Sequence, residues 1–145
     1  MYQLRGKLSI VMPAYNEEAL IYNSIMQTLS IVEQFAPDME IIAVNDGSKD
    51  KTKQEIERAI RDDAKQPHPV VPGMRVSGTR IKLVTSNKNR GKGNAIISGI
   101  SQAEGDYIAF VDADLELNPA QLEGYLKKMQ ESGSDVVIGL SLIHI

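Results

Sequence analysis

Asp112 and Asp114 stand one residue apart at the end of an apolar run, Tyr107-Ile108-Ala109-Phe110-Val111. The run is β-branched and aromatic with almost no polar alternation, which predicts a strand buried on both faces. An unpaired buried carboxylate costs several kcal/mol, so the pair must emerge into a cleft or bind a cation. In an open α/β sheet, ligands sit outside the carboxyl ends of the strands. Carboxylate oxygens placed there suit a hard divalent cation. The chemistry that most often wants such a pair is a metal bridging protein carboxylates and a substrate diphosphate. The competing reading is two solvated turn carboxylates.

Three further polar clusters follow apolar runs: Ala14 to Glu17, Asn45 to Asp50 and Asn87 to Asn94. If the runs are parallel strands, all four clusters fall on one rim of the sheet, and that coincidence outweighs any single motif. Asp46 could accept hydrogen bonds from a nucleobase or ribose, or hold an Asx turn across Asn45–Ser48. Gly47 would permit a bend or a close approach to ligand. Arg90 and Lys92 could neutralise phosphate or belong to a solvated basic loop, with Gly91 and Gly93 letting the backbone come close. Glu116 shares the side of Asp112 and Asp114 if the extended geometry continues. That would make it a third metal-shell acid; otherwise it is a surface glutamate. Tyr15 could line a base pocket or the rim of the core. His68 is expected to be solvated.

The elements that must position these residues alternate along the chain. Leu8 to Met12 reads as a first strand stopped by Pro13. Asn16 is expected to cap a helix with Glu17 and Glu18 in its first turn, burying Ile21, Ile25, Leu29 and Val32. Met39 to Val44 is a second strand; Ser48 or Asp50 would cap the next helix, which turns Ile56, Ala59 and Ile60 inward. Asp62 to Gly78, with Pro67, Pro69 and Pro72, is expected to be a surface loop. Arg80 to Thr85 is a third strand. Ala95 to Ala103 is a helix with Ile96, Ile97 and Ile100 inward. After the fourth strand, Asn118-Pro119 opens a helix with Leu122, Leu126 and Met129 buried and Gly133 closing it. Asp135 to Gly139 reads as a fifth strand. This alternation predicts an α/β fold: a three-layer α/β/α, Rossmann-like domain with a mainly parallel sheet. Strand order is not readable.

Composition narrows the function. The 145 residues carry a net charge of -3, which argues against bulk binding of nucleic acid. There is no cysteine, which excludes disulfide and thiol chemistry, and the two histidines, His68 and His144, are too far apart to suggest a zinc site. No apolar run reaches the roughly 18 residues of a membrane span, and Met1 to Lys7 lacks a signal peptide's apolar region.

Val11-Met12-Pro13-Ala14-Tyr15-Asn16-Glu17, Val44-Asn45-Asp46-Gly47-Ser48-Lys49-Asp50, Asn89-Arg90-Gly91-Lys92-Gly93 and Asp112-Ala113-Asp114-Leu115 resemble, in order, the motifs of family 2 glycosyltransferases of the GT-A fold. The strongest likeness is to the polyprenyl- and dolichyl-phosphate mannose and glucose synthases. The resemblance implies transfer of a hexose, with inversion, from a nucleotide diphosphate sugar of the GDP-mannose or UDP-glucose class to a polyprenyl or dolichyl phosphate. It implies a donor site of Pro13, Ala14, Tyr15, Glu17, Asp46, Gly47, Arg90, Lys92, Asp112, Ala113 and Asp114. Asp112 and Asp114, with Glu116, would hold Mg2+ or Mn2+, and Lys92 would join the pair of aspartates in catalysis. A cytoplasmic protein, at the cytoplasmic face of a membrane in its full-length form, is expected. Glu116 stands where the mannose synthases commonly have glutamine, and Asn89 to Gly93 leans towards the glucosyl side.

The resemblance covers about residues 8 to 139, so the expected domains are a GT-A domain over 1–139 and a non-native or truncated tail over 140–145. A basic stretch for acceptor phosphate is expected after Gly139, and Leu140 to Ile145 does not fit it. No general base follows the fifth strand, as a saccharide acceptor would require; a lipid phosphate, already anionic, needs none. The rival readings are a silent nucleotide-sugar-binding module, a sugar nucleotidyltransferase and a dinucleotide dehydrogenase. The last two want glycines directly after the first strand, where Pro13 to Glu17 has none.

Overall fold

The computed structural model describes residues 2–68 and 78–135. Strands and helices alternate as β1 (Leu8–Ala14), α1 (Ile21–Val32), β2 (Met39–Asp46), α2 (Thr52–Ala64), β3 (Ile81–Ser86), α3 (Lys92–Gln102), β4 (Tyr107–Phe110) and α4 (Gln121–Ser132). Residues 136–139 of the expected fifth strand, and most of the Pro-rich loop, lie outside the described residues.

The four strands form one parallel sheet in the order β3-β2-β1-β4. The chain therefore runs outward from β1 through β2 to β3, then returns to place β4 on the other side of β1. A right-handed crossover puts a helix on opposite faces for the two directions, and the core divides accordingly. Leu8, Ile10, Met12 and Ile41 pack with α1, α2 and α4 in the larger cluster. Val11, Ile42 and Val44 pack with Ala95 of α3 in the smaller one. The layers are those of the expected α/β/α domain. Reversal of winding between β1 and β4 opens a crevice at their carboxyl ends, the place where open α/β sheets bind ligands.

Several local expectations are corrected. Pro13 does not stop β1: it pairs with Val44 inside the strand. Backbone groups of successive strand residues alternate between neighbours, and Val11 turns its carbonyl towards β4, accepting the Val111 N–H at 3.0 Å. Pro13 faces the same way, beyond the last β1–β4 pair at Val11 and Phe110, where its missing N–H costs nothing. β4 is not buried on both faces. Ile108 and Phe110 are 41% and 47% exposed, because α3 sits over β1 and β2 rather than β4.

α3 begins at Lys92, three residues ahead of Ala95, and it turns Ala95 and Gly99 to the sheet. Ile97 and Ile100 are exposed, contrary to the helical spacing expected of them, and Ile96 is half-buried. Gly99 lets α3 lie close: an added Cβ would come within 3.2 Å of Val11 Cγ2 and Val44 Cγ2. In α4, Leu122 and Leu126 are buried and Met129 only half-buried. Gly133, at φ 68°, closes α4 in the left-handed region as expected.

His68 is not solvated. Its side chain is 5% exposed, with Nε2 at 2.9 Å from the Asp63 carbonyl oxygen. It joins a buried cluster in which Asp63 accepts the Arg80 backbone N–H at 2.7 Å and Arg80 Nη2 at 2.8 Å. Arg80 Nη1 reaches Glu33 at 2.7 Å. The cluster ties the end of α2 to the start of β3.

Candidate active site

Four loops converge at the carboxyl ends of the strands around a cleft of about 510 Å3. Of the residues singled out in the sequence, Pro13, Ala14, Tyr15, Glu17, Asp46, Lys92, Asp112, Ala113, Asp114 and Glu116 line it. Gly47 and Arg90 do not. Asn89, Gly91 and Ala95 line it as well; of these only Gly91 was foreseen near the ligand. Asn89 carried a signal in its place within the basic loop. Ala95 carried none, because it reaches the cleft only through the early start of α3. A hollow of about 590 Å3 at the amino end of β4, around Arg5, Asp106, Tyr107 and Gln130, has no comparable pair of carboxylates facing a lysine.

The β1–α1 loop does not begin with a helix cap. Asn16 takes a left-handed φ of 52°, and its side-chain oxygen accepts the Lys49 N–H at 2.9 Å. Its own N–H donates to Ser48 Oγ at 2.9 Å, and the Glu17 N–H donates to Thr52 Oγ1 at 2.8 Å. α1 starts only at Ile21, so Asn16 stitches the first loop to the second instead of capping α1. Asp50 does serve the start of α2, accepting the Thr52 N–H at 2.9 Å.

The β3–α3 loop is pinned from β2. Asp46 Oδ1 accepts the Arg90 N–H and Oδ2 the Gly91 N–H, each at 3.0 Å. Each oxygen keeps one lone pair free for a ligand. Gly47, at φ 71°, lets this loop lie directly on it: an added Cβ would overlap the Lys88 carbonyl carbon and the Asn89 nitrogen. Arg90 is exposed and does not line the cleft, while Lys92 and Ala95 of the first turn of α3 do. The free N–H groups of a helix start, together with a lysine, suit a phosphate.

Opposite them, the chain turns after Val111. The Leu115 N–H donates to the Asp112 carbonyl at 3.0 Å, Leu115 takes a φ of 51°, and Asp114 Oδ1 accepts the Glu116 N–H at 3.0 Å. The extended geometry expected through Glu116 is thus absent, although Glu116 still reaches the cleft. A bond from the buried Ser24 hydroxyl to the Ala113 carbonyl anchors the turn to α1. Lys92 Nζ lies 2.6 Å from Asp112 Oδ1. Burial pushes the Glu17 carboxyl above its ordinary range, and the charges of Asp114, Asp50 and Asp112 push it further. The wall is therefore acidic and attracts cations.

No group of three acidic, histidine or cysteine side chains close enough to hold a metal occurs among the described residues. Asp112, Asp114 and Glu116 do not form a closed cage. Two carboxylates at an open cleft nevertheless fit a magnesium- or manganese-like ion, which takes one or two protein carboxylates and completes its shell with substrate phosphates and water. A cation already seated on Asp112, the Lys92 ammonium, is consistent with that donor chemistry.

The sheet order and the switch-point cleft with its carboxylate pair define a doubly wound α/β domain with a ligand site at the carboxyl ends of its strands. The mannosyltransferase of Pyrobaculum calidifontis, solved in complex with GDP-Man and Mn2+, superposes with a TM-score of 0.67 at 23% identity, over 87% of this chain and 33% of that one. TarS of S. aureus in complex with UDP-GlcNAc gives 0.62 at 26% identity, over 89% and 32%. The family model Glycosyl transferase family 2 matches residues 9–144, and the chain belongs to that family. Undecaprenyl-phosphate 4-deoxy-4-formamido-L-arabinose transferase of Enterobacter sp. (strain 638) is 35% identical over 131 residues, 90% of this chain and 36% of its own length. A protein of Mycobacterium tuberculosis described as among putative glycosyltransferases is 32% identical over 92% of this chain and 34% of its own. The chain thus spans about a third of the length of the curated relatives it matches.

Proposed function

We propose that the protein to which this chain belongs transfers a hexose from a nucleotide diphosphate sugar to a polyprenyl phosphate, with inversion, and that these residues form its donor site. The observation that carries the reading is the cleft between β1 and β4, where Asp112 and Asp114 face Lys92 and the start of α3. Pro13, Ala14, Tyr15, Glu17 and Asp46 line the nucleoside end of this reading, and Ala113 the diphosphate end. Relatives named for undecaprenyl-phosphate sugar transfer support the acceptor class. A lipid acceptor would bring the full-length protein to the cytoplasmic face of a membrane; among the described residues no helix is long and apolar enough to cross one.

In the reaction, an oxygen of the acceptor phosphate bonds to the anomeric carbon from the face opposite the leaving group. The bond from that carbon to the diphosphate oxygen breaks, and the nucleoside diphosphate departs with the electron pair. Lys92 and the first N–H groups of α3 stabilise the negative charge that develops there. Asp112 and Asp114 would hold Mg2+ or Mn2+, which supplies further neutralisation of the diphosphate when bound. Glu116 borders that position without completing a cage. Arg90, exposed and outside the cleft, acts through its backbone hold on Asp46.

Calorimetric titration with UDP and GDP, each with and without Mn2+, tests the donor site on the wild-type chain and on Asp114→Ala. Metal-dependent binding of one nucleotide, lost in the variant, is expected and names the base. Binding of neither by the folded chain would sink the reading. Turnover with a polyprenyl phosphate by the full-length protein separates a transferase from a silent binding module.

A further inference from the structure

We propose that Lys92 is the resident counter-ion of Asp112 and yields that carboxylate to a metal more readily once a nucleotide diphosphate in the cleft draws its ammonium away, so that the lysine contributes to the coupling between metal and nucleotide binding. The inference rests on the reading of the cleft as a metal-assisted diphosphate site.

Lys92 Nζ sits 2.6 Å from Asp112 Oδ1, a charge-assisted contact on the oxygen a metal would need. Lys92 is also the first residue of α3. The positive end of a helix macrodipole disfavours a cation in its first turn, and no acid of α3 itself offsets it there. An anion beside it offsets that effect, and Asp112 is the anion in contact with it. Among the described residues, Glu17, Asp46, Asp112, Asp114 and Glu116 bring five carboxylates to the cleft wall against the one ammonium of Lys92.

The consequences for each ligand differ. A diphosphate arriving alone meets an acidic wall. A divalent ion arriving alone competes with Lys92 for Asp112 and leaves the ammonium unpaired at the helix start. When the two arrive together, the ammonium moves to phosphate oxygens and the ion takes its place on Asp112. The ion pair is 61% exposed at Lys92 and 46% at Asp112, so it is a weak pair that opens readily. The long, flexible lysine stem permits the transfer without moving backbone.

Mn2+ uptake, followed by the electron paramagnetic resonance of the free ion, tests this on the wild-type chain, Lys92→Met and Asp112→Asn, alone and with UDP or GDP. Lys92→Met is expected to bind Mn2+ alone about fivefold more tightly than wild type, the scale of an exposed ion pair. The gain in Mn2+ affinity on adding nucleotide should shrink accordingly, and Asp112→Asn should lose uptake. If Asp112→Asn loses uptake while Lys92→Met binds Mn2+ alone no more tightly than wild type, the counter-ion role is overturned and the metal site stands. If the wild type and Lys92→Met, folded by circular dichroism, take up neither Mn2+ nor nucleotide, the reading of the cleft itself fails and the counter-ion role with it.

Discussion

Asp46 holds Gly91: the carboxylate at the end of β2 accepts the Gly91 N–H at 3.0 Å, one residue before the helix start that carries Lys92. Strand, loop and helix are thereby one unit at the cleft. Asp46→Ala would leave the Arg90 N–H without its acceptor and the Gly91 N–H with Asn89 Oδ1 alone, at a cost of about 1–3 kcal/mol. Urea denaturation should show that loss. Nucleotide affinity should fall roughly tenfold, equivalent to about 1.4 kcal/mol. Unchanged affinity in a destabilised variant would mean that the loop does not need Asp46 to present Lys92.

Gly47 and Gly124 make opposite predictions from the same substitution. Alanine at Gly47 puts a Cβ into the backbone of Lys88 and Asn89 at a φ of 71°. The β3–α3 loop must lift, so Gly47→Ala is expected to destabilise by about 1–3 kcal/mol and to weaken nucleotide binding. Gly124 lies inside α4 with open space around it. Gly124→Ala should stabilise by about 0.5–1 kcal/mol through helix propensity and leave binding unchanged. Thermal unfolding of both variants checks the sign.

How much of this could be read beforehand differs from residue to residue. The alternation of strands and amphipathic helices was legible, because Leu8–Met12 and Met39–Val44 are short, nearly unbroken apolar runs and Arg80–Thr85 alternates as a half-buried strand does. The cleft residues were legible because each polar cluster directly follows such a run. The crevice between β1 and β4 was not, since strand order depends on pairings that no local pattern encodes. The role of Asn16 was missed because helix capping and a bond to Lys49 on another loop ask for the same residue type. Ile97 and Ile100 misled because helical spacing shows an apolar flank without saying which flank faces the sheet. Gly99, with no side chain, marks that flank only once α3 is seen against Val11.

Gly99→Ala tests that seating. The added methyl would meet Val11 Cγ2 and Val44 Cγ2 at 3.2 Å and Val11 Cγ1 more closely. Overpacking of this kind costs about 1–3 kcal/mol, and pushing α3 outward tilts Lys92 away from Asp112. Val11→Ala alone should also destabilise, by opening a cavity. The double variant should lose less than the two single losses together, a coupling read from a double-mutant cycle. Simple additivity would mean that α3 shifts freely on the sheet.

Acid stability reports the two buried carboxylates remote from the cleft. Burial alone would push the Asp63 carboxyl up. The Arg80 side-chain bonds, its backbone N–H, its charge and the Thr79 hydroxyl outweigh burial and hold it below the ordinary range. Burial likewise opposes Glu40, yet the Lys82 bond, the Glu104 N–H, the Ser9 hydroxyl and the Lys7 charge hold it down. Both groups bind protons more weakly in the folded than in the unfolded chain. Their stabilisation is therefore full above the unfolded carboxylate range, about 3.9–4.3. It is lost as pH falls through their depressed folded values. Asp63→Asn removes one of these groups and leaves Arg80 with Glu33 alone. At neutral pH the loss of charge from this buried pair should cost about 3–5 kcal/mol. Between about pH 5 and pH 2 the variant's urea midpoint should fall less steeply than the wild type's, because one proton fewer is taken up on unfolding. An equally steep acid limb would show that Asp63 is not held below its ordinary range in the folded chain.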